Sequence, residues 1–422
     1  MLDLRLIRSR PDAVKQALRD RLTTGGPPDA GRCVDAILEL DAQRRAVRVR
    51  LEEKRRALNK AAAAVAATKR QGTGEVPGRE GARALKGTIA RLEAEARELT
   101  AGLDAALIAL PNLPRPDVPV GAGEADDIVL RREGERRRFR FEPRRARDLA
   151  ERLGILDVRS GTRLAGSGFV THVGVGAALK RGLGGFMLDM HTSQDGYAEV
   201  SVPLLVREEC AVAAGALQQP GAEPAAAPEG PRIAPSPEVP LVNLHRDEVL
   251  DVAALPMRYA ALVICLPRRA RARPPGFEAV QLASFLEPDR SEEEFARLVG
   301  DAEAILRHLE IPYEVVALCT ASLPAASAKT VALRAHCPGT DRHVEVSSCS
   351  LYDEYQARRC NTRYRPPDGR KGLRFVHTLS GSALAVEPTL AAVLANYQRE
   401  DGRVDVPKVL RPYLRGVAVI GE

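Results

Sequence analysis

Two runs of mostly apolar positions, stepping alternately by four and three residues, constrain this chain more than any other feature. The first passes through Leu40, Arg44, Val47, Leu51, Lys54, Leu58, Ala61 and Val65; the second through Leu85, Ile89, Leu92, Ala96, Leu99, Leu103, Ala106 and Leu110. A 3.5-residue period is the seam of a coiled coil. Between the runs lies KRQGTGEVPG, residues 69–78, a stretch rich in helix breakers. Two seams and one turn predict an antiparallel helical hairpin, roughly 40 Å long from Leu40 to Val65 at 1.5 Å per residue. Both seams are narrow and flanked by charge, as in Lys54-Arg55-Arg56 and EAEARE at 93–98. A core helix needs a wider apolar face. The hairpin is therefore expected to protrude as an arm that meets a nucleic acid or a partner protein.

LPNLPRPDVPVGAGEADD, residues 110–127, ends the arm with four prolines and a Gly/acid stretch, which predicts a linker. Beyond it short β-rich runs (FVTHVGV, YAEVSVPLLV, FEAVQLASF, EVVALC, HVEVSSCSLY) alternate with helical stretches. Strands without regular crossover helices predict an antiparallel sheet with helices packed on it, an α+β domain. The expected organisation is an arm over 1–110, a hinge over 111–127 and a sheet domain over 128–422. Within the last, the Ala/Pro/Gly insert 211–237 has too few large apolar side chains to order itself.

The 422 residues suffice for two such parts. No apolar run approaches the ~20 residues of a membrane span, and MLDLRLIRSRPDAV lacks a signal-peptide layout. Seven scattered cysteines, with no close pair, argue against a disulfide framework and for the cytoplasm. The net charge is +7, with a local concentration in RREGERRRFRFEPRRARD, 131–148: nine Arg against four acids. Such a run binds phosphates or is simply solvated.

Candidate chemistry elsewhere is weak. HCPGTDRH, with His336, Cys337 and His343, offers too few ligands for zinc and reads as strand-turn-strand. Cys349 and Cys360 have no orienting His–acid pair. His191 and His377 read as packed structural histidines. TLSGSALAVEPTLAAVLANYQ, 378–398, reads as a Gly/Ser turn feeding an apolar helix, with Pro388 at its first position. Its exposed N-terminus would suit a phosphate, yet Glu387 occupies that place.

These strings together resemble one family. MLDLRLIRSRPDAV, the hairpin, LPNLPRPDVPVG, FMLDMHTSQDGYAEVSVPLLV with Pro203, EVPLVNLHRDEVLD, VEVSSCSLYDEYQARR and VLRPYLRG are similar to segments of the seryl-tRNA synthetases, class II aminoacyl-tRNA synthetases. The resemblance runs nearly end to end. It implies a homodimer with ATP and serine on an antiparallel sheet, and serine tRNA gripped by the arm. Arg44, Arg45, Arg48, Arg55 and Arg56 are then the expected tRNA contacts. Ser236 and Glu238 fall on the serine-recognition element. Glu345 and Ser348 match the pair that contacts ATP and Mg²⁺. The family chemistry is attack of the serine carboxylate on the ATP α-phosphate, then acyl transfer to the tRNA ribose.

The departures fall on the ATP site. In CLPRRARARPPGFEAVQ, 265–281, Pro267 stands for a phosphate-binding Arg, Arg269 for a Glu and Gln281 for the closing Glu. Arg268 and Arg269 remain as candidate nucleotide contacts, although a displaced guanidinium loses its bidentate geometry. In the family's third motif Ser380 replaces Asn, Glu387 a Gly and Pro388 the Arg. A carboxylate at a helix N-terminus competes with a triphosphate for the same dipole. No catalytic residue is assigned. The expectation from these departures is a paralogue with lost or weak adenylation, binding tRNA or a partner synthetase. The alternative is an active serine–tRNA ligase, or one acylating another acceptor, with a rebuilt phosphate site.

Overall fold

The computed structural model describes residues 1–21, 29–70, 79–215, 230–234, 236–265, 277–367 and 372–421. The chain forms two compact units: Leu2–Gln16 with Pro27–Leu110, and Met1 and Ala17–Gly26 with Pro111–Glu422.

In the helical unit, α1 (Ala30–Arg70) and α2 (Arg79–Ala109) lie side by side. Val47 and Leu51 of α1 pack on Leu92, Ala96 and Leu99 of α2. Arg55 reaches across to Glu93 at 2.9 Å. The seam starts earlier than its spacing suggests, with Val34 and Ile37 fully buried. It also shifts by one residue. Asp41 is buried in place of the half-buried Leu40, and Lys54 is exposed. The shift is tolerated because Asp41 is surrounded by cations. It accepts from Arg8 at 2.6 and 2.7 Å, Arg44 at 3.0 Å and Arg45 at 3.1 Å.

The second unit is built on an eight-stranded sheet. Its strands are β1 (Ile128–Glu133), β2 (Ala198–Glu199), β3 (Met257–Cys265), β4 (Phe277–Leu286), β5 (Tyr313–Ala317), β6 (Lys329–Cys337), β7 (Arg342–Asp353) and β8 (His377–Ala385). The order is β1-β5-β6-β7-β8-β4-β3-β2. Every pairing is antiparallel except the parallel edge pair β2–β3. Alternation of side chains gives the sheet two faces. Val280, Leu282, Leu286, Leu333, Cys349 and Leu379 point to the back, where they form one core with helices α3 (Ala146–Arg152), α4 (Val175–Ser193), α5 (Ser291–His308) and α6 (Val386–Asn396). The front is polar at its centre.

Two local expectations change. The Gly/Ser stretch is no turn: residues 377–385 are a strand, hydrogen-bonded to β7 on one side and β4 on the other. Small side chains suit this crowded place. A Cβ at Gly381 would lie 2.8 Å from Cys349 Sγ. Helix α6 begins at Val386, which is fully buried, followed by the half-buried Glu387 and Pro388, so Pro388 is its third residue and not its first. The insert is also ordered at its ends. Ala211, Ala213 and Ala214 are buried, and Arg232–Ile233 pairs with Leu205–Val206. Residues 216–229 lie outside the described residues.

Candidate active site on the front of the sheet

The sheet register assembles the front face in rows. In one, Thr330 faces Ser350, Ser350 faces Ser380, and Ser380 faces Ala283. Thr330 and Ser350 share a hydroxyl–hydroxyl bond of 2.9 Å. In the next, Ala332 faces Ser348, and Ser382 faces Gln281. The bulge after Leu333 keeps Glu345 opposite Arg334 in a third row. Without that bulge, Glu345 would share the back-facing parity of Ser347, which bonds the Ser382 carbonyl.

Gln281 and Ser380, read from the sequence as two separate departures, are partners: Gln281 Nε2 donates to Ser380 Oγ at 2.6 Å. Gln281 Oε1 and Ser236 Oγ are buried with no hydrogen-bond partner among the described residues. Glu238 opens the short helix Glu238–Val242 and is half-buried. Crowding by protein pushes its carboxyl up. Ser236 acts the other way, its hydroxyl near enough to favour the charged form although outside hydrogen-bond geometry. Tyr352, which the sequence reading passed over, joins these groups. It is buried beside Ser350 and Ser380, and its hydroxyl is pushed up by burial and by the charge of Glu238. Its place two residues after Ser350 on one strand could have been read from alternation alone.

Glu345 is exposed on the strand yet closely surrounded, and this crowding raises its carboxyl. Arg334 pulls it down, while Glu124 and Asp127 push it up. Arg334 itself donates to Asp127 at 2.7 Å. Glu345 has no ion pair among the described residues. With Ser348 on the same face it supplies hard oxygen donors of the kind Mg²⁺ takes, one carboxylate sufficing beside waters and phosphates. Pro267, Arg268 and Arg269 lie outside the described residues.

Glu387 stands apart from this face. Its Oε1 lies 2.9 Å from Lys180 Nζ on α4, which also pairs with Glu278 at 2.9 Å. Its Oε2 accepts from the Glu278 backbone N–H at 2.8 Å. Glu278 shares the parity of the back-facing Val280. Lys180 is shared by the two carboxylates and offsets one of their two charges, and Glu387 is spent on pinning the start of β4 to the first turn of α6. It is held by these partners on the back-facing side of β4, and is not a free carboxylate at the helix N-terminus as the sequence suggests. Glu387→Ala should cost about 1–2 kcal/mol of stability, because a half-buried backbone donor loses its acceptor. Urea denaturation of the two proteins checks this.

The other groups are structural. His191 Nδ1 is 2.8 Å from Asp195, and His377 Nδ1 is 2.7 Å from Ser291 Oγ. Cys349 and Cys360 are buried, which pushes both thiols up to about 12, so neither is a nucleophile at neutral pH. His336, Cys337 and His343 lie on β6 and β7 around the turn at Pro338–Thr340. On the arm, Arg44 and Arg45 are held by Asp41 and Arg55 by Glu52 and Glu93, whereas Arg48 and Arg56 are exposed without an ion pair among the described residues.

Comparison with known proteins bears on all of this. Residues 1–114 match the family described as the seryl-tRNA synthetase N-terminal domain. Residues 230–397 match the class II tRNA synthetase core domain (G, H, P, S and T). A serine–tRNA ligase of Thermomicrobium roseum is 43% identical, over 100% of this chain and 95% of its own length. One from Acidithiobacillus ferrooxidans is 40% identical over 100% of both chains. Among solved structures, the seryl-tRNA synthetase of Pyrococcus horikoshii complexed with ATP superposes with a TM-score of 0.90 at 31% identity, covering 100% of this chain and 99% of that one. Full-length relatives this similar, carrying the name of the ligase, overturn the expectation of a paralogue that has lost adenylation. The chain belongs to the seryl-tRNA synthetase family, with a class II α+β sheet domain and a coiled-coil arm.

Proposed function

We propose that this chain is a working serine–tRNA ligase. It binds ATP and serine on the front of the sheet, joins the serine carboxylate to the α-phosphate with loss of pyrophosphate, and passes the seryl group to a hydroxyl of the terminal ribose of serine tRNA with release of AMP. The observation that carries this reading is the front face itself. Glu345 and Ser348 lie on the same side of one strand, Glu345 without an ion pair among the described residues, beside a polar cluster of Glu238, Tyr352, Ser380 and Gln281 in which Gln281 Oε1 is buried with no hydrogen-bond partner among the described residues.

In this reading Glu238 and Ser236 contact serine, with Gln281 Oε1 and Ser236 Oγ each gaining a partner on binding. Glu345 and Ser348 would hold Mg²⁺ with ATP. When bound, the ion would offset the negative charge of the phosphates. Arg268 and Arg269 supply phosphate contacts from the segment before β4. The exposed Arg48 and Arg56 are the arm's free contacts for tRNA phosphates, with Arg44, Arg45 and Arg55 set by their carboxylates.

The working form is a cytoplasmic homodimer. The large apolar residues Leu204, Leu205, Leu262 and Ile264 are 43–54% exposed near the β2 edge, which supports it. Serine- and ATP-dependent pyrophosphate exchange tests the function. Exchange well above a no-serine control is the expected result, followed by transfer of labelled serine to tRNA. No exchange at saturating substrates would sink this reading.

A further inference from the structure

We infer that residues 138–145 form a second tRNA-binding surface, on the sheet unit, gripping the phosphate backbone through Arg138, Arg140, Arg144 and Arg145. The inference rests on the reading of the chain as a tRNA ligase. It adds a surface that the reading does not require.

Nine arginines lie between 131 and 148, and the structure divides them. Arg131 pairs with Glu303, Arg132 with Glu314, Arg136 with Asp341, Arg137 with Glu310 and Arg147 with Glu151. The remaining four are Arg138, Arg140, Arg144 and Arg145. All are exposed, and none has an ion pair among the described residues. Only Glu142 offsets them within the stretch, so four guanidinia face solvent against one carboxylate.

The segment belongs to no helix or strand, yet it is tied down along its length. The Arg137 guanidinium stacks 3.7 Å over the Tyr397 ring. Phe139 and Phe141 alternate inward with the outward arginines and meet edge to face at 5.2 Å. The Gln398 side chain clamps Arg144 by its backbone, accepting from its N–H at 2.7 Å and donating to its carbonyl at 3.0 Å. Gly339 lets that backbone close in: a Cβ there would sit 2.1 Å from the Arg144 carbonyl oxygen. Four cations are held side by side on a fixed backbone while their own charges stay unspent. Ordering such a row in advance lowers the entropic cost of binding a polyanion. Free guanidinia are strong phosphate ligands. An acidic protein surface would also be attracted. Two pairs of exposed arginines, 138/140 and 144/145, with one carboxylate between them, favour a backbone of phosphates.

The test compares the full chain with a variant carrying Arg138→Gln, Arg140→Gln, Arg144→Gln and Arg145→Gln. Serine tRNA affinity is measured by fluorescence anisotropy between 50 and 200 mM salt, and pyrophosphate exchange is measured without tRNA. Each phosphate contact contributes roughly 0.7–0.9 to the slope of log affinity against log salt. The variant should bind at least tenfold more weakly at low salt, with a slope reduced by roughly three. Its exchange rate and melting temperature should match the parent. The corresponding Lys variant should recover most of the affinity, because a phosphate accepts a point charge. Unchanged affinity and slope in the Gln variant would overturn the inference while leaving the ligase reading intact. A parent that exchanges pyrophosphate but binds no tRNA at any salt would overturn both the tRNA assignment and this surface.

Discussion

Asp41→Asn should lower the stability of the arm by about 2 kcal/mol, as expected when a buried carboxylate that accepts charge-assisted hydrogen bonds is replaced by a neutral amide. Asp41 is completely buried, and three arginines converge on it. Hydrogen bonding to Arg8 holds its carboxyl below the ordinary carboxylate range, helped by the charge of Arg8 and by Arg44 and Arg45, against the opposing effect of burial. Folding lowers this pKa, so the stabilisation is complete above the ordinary carboxylate value and disappears as pH falls through the lowered folded value. A thermal melt followed by circular dichroism should therefore show the parent losing its advantage over Asp41→Asn in acid. Asp41→Leu separates charge from packing. It continues the apolar seam and frees partly exposed arginines to water, so it should cost much less than Asn. Equal losses in Asn and Leu would contradict this account.

Glu345→Ala should reduce serine-dependent pyrophosphate exchange by about 10²–10³-fold with little change in melting temperature. That is the scale of losing a preorganised electrostatic contact to a reacting phosphate. Among the described residues Glu345 makes no ion pair, whereas the neighbouring Arg334 is tied to Asp127 at 2.7 Å. The pH profile carries a second check. In the proposed role Glu345 is needed as a carboxylate, and its surroundings raise its pKa, so exchange should fall on the acid side as pH drops through this raised value. Arg334→Gln removes the main influence lowering that pKa. The acid limb should then move to higher pH. A limb that stays in place would remove Glu345 from the role.

Some features were legible from the chain alone because they depend on local periodicity. The hairpin is set by narrow seams between breakers, and β4, β5 and β7 by short β-rich runs. The candidate pairs Ser236/Glu238 and Glu345/Ser348 could be marked because their strings are similar to family segments. Other features were misread because their meaning is tertiary. TLSGSALA has the composition of a turn, yet small residues also suit a strand that must pack closely between β7 and β4. Glu387 looked like an obstacle because its partners, Lys180 and the Glu278 N–H, are far from it in sequence.

By itself, then, the sequence determined the class of the fold, the arm and the family, since these follow from periodic burial and from strings read in order. Only the tertiary structure decided where charge is spent. Lys180 is over 200 residues from Glu387, and Asp127 is similarly remote from Arg334, yet each pair lies within 3 Å. Coulombic and hydrogen-bond energies depend on such distances in space, and the spacing of residues along a chain does not reveal them. That is why a carboxylate that seemed to block a phosphate proves to be an anchor, and why four of the nine arginines carry no ion pair among the described residues.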